Sequence, residues 1–345
     1  MRRHTANPII TPADVKPSMP GFEVAGVFNA GAAAYGGEVI LLLRVAERPA
    51  AVKTDTVRTA FFDTERSEIA TRDFSLCDEE NDFSDPRFVK RRGRLYLTSI
   101  SHFRIARSTD GVSFRIDERP AVSPADEYEA FGLEDPRISL IDGTYWIAYA
   151  AVSPMGVVTR LASTVDFAGF CRHGTIFCPE NKDVAIFEGK AGQRYFALHR
   201  PVSPLFGAQD IWIAESPDLA SWGNHRRLFG TRPGMWDESK IGAGAQPIRT
   251  EDGWLEIYHG ADRNQRYCLG AALLETEKPW RVIARSLKPV LQPESDFEKH
   301  GFFGRVVFTC GLLAEKGGLR IYYGAADTSL CLAEVSLEEL LAELR

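Results

Sequence analysis

A short strand pattern recurs along the 345-residue chain, and this repeat restricts the fold more than any other feature of the sequence. Each copy is an aromatic or aliphatic run, and a Gly or a Gly-containing turn precedes most of them. The copies cover residues 38–45, 94–101, 144–152, 194–200, 254–261 and 319–326. Self-similarity of this kind is typical of β-propellers and solenoids, in which each unit packs against its neighbours.

A second strand follows most copies, and three of these second strands end in Ser/Thr-x-Asp. The three are residues 105–110, 161–166 and 213–218, with weaker copies at 269–273 and 330–335. Short strands separated by Gly, Pro, Asp and Asn turns indicate antiparallel meanders. One meander cannot bury both of its faces, whereas meanders packed radially bury both and leave little exposed sheet edge.

We therefore predict an all-β fold: one β-propeller over residues 1–345, with five or six blades and a short helix at the C-terminus. The count stays open because the first and last units could share a blade, and an irregular pair of β-sandwiches is the alternative. The helix is predicted because Ser336 and Glu339 have the spacing of a capping box. An apolar stripe follows, made of Leu337, Leu340, Leu341 and Leu344. No linker or low-complexity segment divides the chain.

Composition and charge are those of an ordinary soluble protein, with 44% hydrophobic and 26% charged residues. A formal net charge of -6 provides no general attraction to nucleic acid or to an anionic membrane. The basic N-terminus is not followed by an apolar segment, and the aliphatic run 39–43 is far too short to span a bilayer. We therefore predict a cytoplasmic protein with no nucleic-acid or membrane partner.

The six cysteines occur at positions 77, 171, 178, 268, 310 and 331, with no C-x-x-C pair among them. Together with the missing export signal, this spacing indicates reduced, mostly buried thiols rather than disulfides. It also gives no support for a zinc site.

Two adjacent carboxylates and a guanidinium stand just before one of the repeated strands. They belong to the segment G-L-E-D-P-R at 132–137, which precedes the aromatic strand at 144–150. An earlier segment, S-D-P-R-F at 84–88, precedes residues 93–98 in the same way. A charged tripeptide at the same place in two repeats predicts charges directed into a shared centre. Asp before Pro is also common in turns, so one D-P-R segment alone indicates little.

Other polar residues occupy similar places in the other repeats. They are Asn29 and Arg44, Lys182 and Arg200, Lys240 and His259, and Asp327. The innermost strands of a propeller line its axis, so the basic residues should form one pocket beside the carboxylates of the E-D-P-R motif. Lys240 with Gly242 and Gly244 lacks the spacing of a nucleotide-binding loop. His259 taken alone could equally be a histidine of the core.

The ordered set of these motifs resembles glycoside hydrolase family 130, which contains β-mannoside phosphorylases and some β-mannosidases. The resemblance covers about residues 7–335. It rests on Asn29 with Arg44, E-D-P-R at 134–137, Lys182-Asp183, His199-Arg200, K-I-G-A-G at 240–244, Y-H-G at 258–260 and Y-G-A-A-D at 323–327. It implies a five-bladed β-propeller, which would fix the count that the repeats leave open.

By this resemblance Asp135 is the general acid. The residues that would hold the non-reducing mannose are Asn29, Arg44 and Asp327, with Glu134 beside them. The phosphate site of the phosphorylase members would be formed by Lys182, Arg200, Lys240 and His259. Hydrolytic members replace part of that basic set by acidic residues, so its presence here favours phosphorolysis. Asp85 and Tyr258 are further candidates for contact with substrate or acceptor.

The implied reaction is inverting phosphorolysis of a β-mannoside to α-mannose 1-phosphate and a shortened acceptor. Inorganic phosphate is the co-substrate, and no metal or other cofactor is expected. Phosphate is already a nucleophile and needs only binding and orientation. A buried phosphate also opposes ionisation of a nearby carboxyl, which would help to keep Asp135 protonated.

The long stretch between Arg44 and Glu134 resembles the members that act on β-1,2-linked mannosides. Two departures from the family pattern concern the acceptor side: Glu188-Gly189 stands where many members have Pro-Glu, and Arg305 where an Asn is common.

Three alternatives stay open. A β-mannosidase on the same scaffold would need a second carboxylate as base, supplied by Glu134, Asp85 or Glu188. A β-1,4-mannoside phosphorylase would share the phosphate site and differ in linkage. A non-catalytic carbohydrate-binding propeller would show an exposed aromatic face without an ordered axial cluster. The sequence does not decide the linkage, the acceptor length or whether the protein is a homo-oligomer.

Overall fold

The protein is described here from a computed structural model that covers residues 1–50, 54–203, 205–315 and 317–344. The first strands are β1 (Arg2–Arg3), β2 (Phe22–Tyr35), β3 (Glu38–Pro49), β4 (Thr56–Asp63), β5 (Glu68–Ser75), β6 (Asn81–Asp82), β7 (Phe88–Arg91), β8 (Arg94–Leu97), β9 (Ile100–Ser108), β10 (Arg115–Ile116), β11 (Leu133–Ile141), β12 (Thr144–Ser153) and β13 (Gly156–Thr164). The others are β14 (Cys171–Phe177), β15 (Asn181–Ala191), β16 (Arg194–Pro201), β17 (Ile211–Ser216), β18 (Gly223–Phe229), β19 (Lys240–Gly242), β20 (Ile248–Arg249), β21 (Trp254–Ala261), β22 (Tyr267–Leu274), β23 (Val282–Arg285), β24 (Val307–Glu315), β25 (Gly318–Ala325) and β26 (Ser329–Ser336). Over these ranges the fold is almost entirely β-structure, as predicted.

Five antiparallel sheets contain most of these strands. Their strand orders are β10-β9-β3-β2, β11-β12-β13-β14, β15-β16-β17-β18, β19-β21-β22-β23 with β20 beside β21, and β1-β26-β25-β24. We number them sheets 1 to 5 in this order. Sheet 5 pairs the N-terminal strand β1 with β26, so both ends of the chain lie in one sheet. The predicted repeats at 144–152 and 254–261 correspond to β12 and β21.

Five hydrophobic clusters form most of the core, and each lies between two sheets that follow one another. For example, Ile40 of sheet 1 packs with Ile138 and Ile147 of sheet 2. Leu269 of sheet 4 packs in the same way with Ile321 of sheet 5. The other clusters join sheets 2 and 3, sheets 3 and 4, and sheets 5 and 1. Each sheet therefore buries apolar side chains on both faces, which a meander of this size needs for stability.

The three Ser/Thr-x-Asp segments all form the same kind of turn. Asp110 Oδ1 accepts hydrogen bonds from the backbone N–H groups two and three positions later, both at 2.8 Å. Asp166 and Asp218 make the same pair of bonds. The motif therefore recurs because an Asp side chain stabilises this turn locally.

The residues between β3 and β9 do not belong to the repeat. They include two small sheets, β4-β5 and β6-β7-β8. The predicted strand at 94–101 is wrong, because it joins β8 of the insertion to the start of β9, which pairs with β3. The D-P-R segment at 85–87 consequently lies in the insertion and is not equivalent to residues 135–137. The insertion is about as long as one repeat, so its strands could not be distinguished from those of a repeat in the sequence.

The helices are short. They are α1 (Asp296–Lys299) and α2 (Leu337–Ala342), with 3₁₀ turns at Pro12–Asp14 and Glu127–Glu129. The predicted C-terminal cap is confirmed, since Ser336 Oγ accepts a hydrogen bond from the Glu339 N–H at 3.4 Å. Leu340 packs into the core beside sheet 5. Among the helices of the described ranges, none is long and apolar enough to cross a membrane.

The prediction of mostly buried thiols is only half right. All six cysteines are free; Cys268, Cys310 and Cys331 are buried, whereas the other three, at 77, 171 and 178, are exposed. The exposed ones lie at the ends of outer strands or just beyond them, where hydrophobic periodicity gives little information about burial.

Candidate active site

A cavity of about 400 Å³ is lined by residues from all five sheets and from the insertion. It brings together most of the predicted site residues. Those that line it are Asn29, Arg44, Glu134, Asp135, Lys182, Arg200, His259 and Asp327. A more open groove of about 620 Å³ lies beside β25, β26 and α2, but none of the predicted site residues lines that groove. The cavity is therefore the candidate active site.

The backbone directs several of these side chains into the cavity. Left-handed φ angles of 49°, 53°, 55° and 49° occur at Asn29, Asp135, Asp183 and Asp327. In three of the sheets the strand register also shifts at the site, between residues 28 and 31, 134 and 137, and 182 and 185. Such bulges change the direction of a side chain and are common beside active sites. Asn and Asp are the side chains that tolerate this backbone conformation best after glycine.

Arg44 organises one end of the cavity, which we call the acidic end: Asn29, Arg44, Glu134, Asp135 and Asp327. Arg44 Nη1 donates to Asp135 Oδ1 at 2.8 Å, and its Nη2 donates to Glu134 Oε1 at 2.7 Å. Asn29 Nδ2 donates to the same Asp135 oxygen at 2.9 Å. The described residues donate no hydrogen bond to Asp135 Oδ2, so this oxygen is available to a ligand.

The two half-buried aspartates of the acidic end have pKa values shifted in opposite directions. Burial raises the pKa of Asp135, but the charges of Arg44 and Arg137 and the bond from Asn29 outweigh burial, so the pKa is lowered. Burial raises the pKa of Asp327 to about 6, with the Asp135 charge contributing and Arg44 opposing. Asp135 is therefore ionised at neutral pH, and Asp327 takes up a proton more readily.

A second group of residues, which we call the basic end, consists of Lys182, Arg200, Lys240 and His259; all of these except Lys240 line the cavity. Its centre is an aspartate, Asp183. Asp183 Oδ2 accepts from Arg200 Nε at 2.7 Å and lies 3.5 Å from His259 Nε2. Arg200 Nη1 also donates to Gln209 Oε1. Asp183 thus neutralises part of the buried positive charge.

Arg137 connects the two ends. Its Nη2 donates to Asp183 Oδ1 at 3.2 Å, and its Nη1 donates to the backbone oxygen of Asp135 at 3.1 Å. Its Nε donates to the Gly244 carbonyl at 2.5 Å, and Nη2 also to the Ala243 carbonyl at 3.0 Å. The guanidinium is almost completely buried, so it holds the general-acid candidate and the basic end in fixed relation.

The glycines of the K-I-G-A-G segment have a packing role. A Cβ at Gly242 would lie 2.2 Å from Asp183 Oδ2, and one at Gly244 would lie 2.0 Å from the Ile257 carbonyl oxygen. Only glycine permits these approaches, and the carbonyl groups of this segment are then free to accept from Arg137.

His259 is buried and uncharged. Burial lowers its pKa to about 3, and the positive charges of Arg200, Arg137 and Lys240 add to this effect against the carboxylate of Asp183. The centre of its ring lies 4.3 Å from the centre of the Phe308 ring. Its Nδ1 has no hydrogen-bond partner among the described residues.

Lys240 lies just behind the cavity lining. Its Nζ donates to Gln265 Oε1 at 3.1 Å and stands 4.7 Å from the centre of the Tyr267 ring. Burial lowers the pKa of Lys240 to about 8, and the nearby charges of Arg200 and Arg87 lower it further against the opposing effect of Asp183. An ammonium with a lowered pKa, held among other cations, favours the arrival of an anion.

Tyr258 does not line the cavity. Its ring is fully buried, and its hydroxyl donates to Asp237 Oδ2 at 3.0 Å and accepts from Arg285 Nε at 2.9 Å. The candidate substrate contact is therefore a core residue that packs behind its neighbour His259. Two departures from the family pattern, Glu188 and Arg305, are not among the lining residues either.

Asp85 is likewise not a lining residue, but its partner Arg87 is. Asp85 Oδ2 accepts from Arg87 Nη2 at 2.7 Å. Sequence reasoning also missed Tyr267, which lines the cavity and whose pKa burial raises to about 12. The D-P-R segment contained the signal for Arg87, whereas Tyr267 carries no local motif.

Comparison with known proteins shows that this chain is similar to mannoside phosphorylases in both sequence and fold. The model of glycoside hydrolase family 130, described as beta-1,4-mannooligosaccharide phosphorylase, matches residues 86–345. The beta-1,2-mannobiose phosphorylase of Listeria innocua serovar 6a is 48% identical over 99% of this chain and 98% of that protein. The 1,2-beta-oligomannan phosphorylase of Thermoanaerobacter sp. is 38% identical over 71% of this chain and 82% of that protein. The solved structure of the Listeria innocua enzyme in complex with beta-1,2-mannobiose has a TM-score of 0.97, covering 99% of this chain and 98% of that one.

Proposed function

Because the chain belongs to glycoside hydrolase family 130, we propose that it is a glycoside phosphorylase that cleaves β-1,2-linked mannosides with inorganic phosphate. An oxygen of phosphate bonds to the anomeric carbon from the α face, and the glycosidic bond breaks on the β face. The leaving oxygen takes a proton. The products are α-mannose 1-phosphate and an acceptor shortened by one mannose. The observation that carries this proposal is a single cavity with an acidic end and a basic end.

At the acidic end, Asp135 is the proposed general acid. Its Oδ2 is available to a ligand, while Oδ1 is held by Arg44 and Asn29. By the family resemblance the proton passes through a sugar hydroxyl, so Asp135 need not touch the glycosidic oxygen. Glu134, Asp327 and the amide of Asn29 are proposed to bind mannose hydroxyls.

At the basic end, Lys182, Arg200, Lys240 and His259 are proposed to bind phosphate. Asp183 neutralises only part of this charge, because it is shared between Arg137 and Arg200. Phosphate supplies further negative charge and several acceptor oxygens, which suits a set of donors that a neutral sugar would leave uncompensated. A phosphate anion near the acidic end would also raise the pKa of Asp135, which is otherwise held ionised.

Hydrolysis is supported less well. Glu134 is paired with Arg44 at 2.7 Å, and Asp85 is paired with Arg87 at 2.7 Å outside the lining. Glu188 hydrogen-bonds the Leu140 N–H and also lies outside the lining. Each candidate base would therefore have to leave its partner or move into the cavity before it could activate water.

We further propose that the five sheets are the blades of one β-propeller, which makes residues 1–345 a single catalytic domain with the cavity on its axis. Support comes from the five clusters that join sheets 1 and 2, 2 and 3, 3 and 4, 4 and 5, and 5 and 1. The pairing of β1 with β26 would then fasten the last blade with strands from both ends of the chain.

We propose that the enzyme works in the cytoplasm, where a charged sugar phosphate is retained without use of ATP. No metal or other cofactor is proposed, since the basic end already supplies the charge that phosphate needs.

The linkage is tested by comparing β-1,2-mannobiose with β-1,4-mannobiose at equal concentration in saturating phosphate. We expect kcat/KM for the β-1,2 compound to exceed that for the β-1,4 compound by at least about tenfold, a difference that pocket contacts alone can produce. α-1,2-Mannobiose is the control and should not be cleaved. Equal values, or a preference for the β-1,4 compound, would contradict the proposed linkage.

The lowered pKa of Lys240 predicts a pH dependence. Lys240 is charged below its pKa of about 8 and neutral above it, so kcat/KM for phosphate should fall as the pH rises through about 8. Lys240→Arg keeps its charge throughout this range and should move the fall to higher pH. An unchanged profile in this variant would show that another group causes the fall.

A further inference from the structure

The insertion between β3 and β9 contributes a wall of the cavity. Its three-stranded sheet, β6-β7-β8, and the adjoining turns supply Arg87, Phe88, Leu95, Leu97 and Ser99 to the lining. Arg87 is the charged member of this group. It is the last residue of the D-P-R segment at 85–87, for which the function proposed above gives no role.

Two neighbours hold the Arg87 guanidinium in place. Asp85 accepts from Nε at 2.9 Å and from Nη2 at 2.7 Å, and it also accepts from the Arg87 backbone N–H at 2.9 Å. The ring of Phe303, another lining residue, lies under the guanidinium at 4.1 Å from its centre. Within the described ranges Nη1 donates no hydrogen bond, and 38% of the side chain is exposed. Arg87 is therefore oriented with a free donor toward the cavity.

The charges around Arg87 indicate what this donor would bind. The Phe303 ring beneath Arg87 has its centre 6.3 Å from the centre of the Tyr267 ring, and Lys240 Nζ stands 4.7 Å from the centre of that same Tyr267 ring. Arg87 and Lys240 therefore lie near the same end of the cavity. The cations there are Arg87, Arg137, Lys182, Arg200 and Lys240. The carboxylates paired with them are Asp85 and Asp183, and the lining carboxyl of Asp327 is also close enough to act on Arg87. Positive charge is in clear excess, and an excess of this kind in a closed site is stabilised by an anion.

We propose that Arg87 is a phosphate-binding residue, so that the inserted sheet completes the basic end from outside the five main sheets. Arg87 would meet the anion through Nη1 while Asp85 keeps the other side of the guanidinium fixed. The inference rests on the proposed function, because it assigns a further ligand for the same phosphate. Asp85 is then a positioning residue that acts through Arg87.

The competing assignment is that Arg87 contacts the acceptor sugar. Steady-state kinetics separate the two, because loss of a phosphate ligand raises the KM for phosphate and loss of an acceptor ligand raises that for mannobiose. Each substrate is varied at saturating concentration of the other, for wild type, Arg87→Ala, Arg87→Lys and Arg92→Ala. Arg92 is the matched control: it stands in the same hairpin, pairs with Glu80 at 2.8 Å, has 72% of its side chain exposed, and does not line the cavity.

We expect Arg87→Ala to raise the KM for phosphate by about 10- to 100-fold, the range for loss of a charged hydrogen bond. The KM for β-1,2-mannobiose should stay within about twofold, Arg87→Lys should be intermediate, and Arg92→Ala should match wild type. If Arg87→Ala does not fold, Arg87→Met keeps the stem over Phe303 and gives the same readout.

Two results would overturn the inference: a raised KM for mannobiose with an unchanged KM for phosphate, or no change in either constant. Failure of the proposed function is recognised separately, in the wild type. Release of free mannose without phosphate by the unmodified enzyme would remove both the phosphorylase assignment and the role of Arg87, before any variant is compared.

Discussion

Asp135→Asn should keep the fold and lose nearly all turnover, by about 10²–10⁴-fold, the usual loss when one general acid is removed. The amide has the shape of the carboxyl, and its oxygen can still accept the bonds from Arg44 at 2.8 Å and Asn29 at 2.9 Å. Asn also tolerates the left-handed φ of 53° at this position. What the variant lacks is a proton that it can give to the leaving group.

The matched control for this substitution is Asp142→Asn. Asp142 is also a left-handed aspartate, with φ of 51°, but it stands in an exposed hairpin turn between β11 and β12. Both variants should show the circular dichroism spectrum and melting temperature of the wild type, and only Asp135→Asn should lose activity. Near-wild-type turnover in Asp135→Asn would place the acid elsewhere, and Asp327, whose pKa burial raises to about 6, would be tested next.

The lowered pKa of Asp135 raises the question of when in the reaction this carboxyl takes up its proton. The positive charges of Arg44 and Arg137 outweigh the effect of burial and keep the pKa of Asp135 low. A general acid must be protonated when the bond breaks. A phosphate anion bound at the basic end would offset part of the positive charge that lowers the pKa of Asp135. A bound sugar would exclude water and so strengthen the effect of burial, which raises the same pKa. We therefore propose that substrate binding raises the pKa of Asp135 and so brings it to the protonated form that the reaction needs.

Repeated local patterns made much of the fold predictable. The aromatic run at 254–261 is strand β21, and Asp110 closes its turn through backbone bonds that depend on sequence neighbours alone. The pairing of β9 with β3 was not predictable in this way, because the insertion separates these strands and has the length of a repeat. Where register is fixed by tertiary packing, a periodic pattern cannot distinguish a repeat from an insertion.

The site could be predicted where a motif and a family pattern coincided, and not where one residue depends on distant ones. Arg44 Nη1 and Asp135 Oδ1 lie 2.8 Å apart in the cavity, although the two residues are 91 positions apart in the chain. The role of Asp183 as counter-ion to Arg137 and Arg200 follows from tertiary contacts that no spacing reveals. The prediction that Tyr258 contacts substrate or acceptor was wrong for the opposite reason. Tyr258 stands next to a site histidine in the sequence, but its side chain belongs wholly to the core.

The second large effect that we expect is a strict dependence of turnover on phosphate. The basic end has more positive charge than Asp183 neutralises, so phosphate is expected to be a substrate and not an accessory ion. Turnover of β-1,2-mannobiose should rise with phosphate to saturation and should be almost absent without it. β-1,4-Mannobiose at equal concentration is the matched substrate control, and sulfate at equal ionic strength is the matched anion control.

The most direct test of the account is to incubate the enzyme with β-1,2-mannobiose, with and without phosphate, and to identify the products by NMR. We predict that mannose and α-mannose 1-phosphate form in equal amounts, and only when phosphate is present. Equally fast cleavage in phosphate-free buffer, giving two molecules of free mannose, would contradict it and would identify the enzyme as a β-mannosidase.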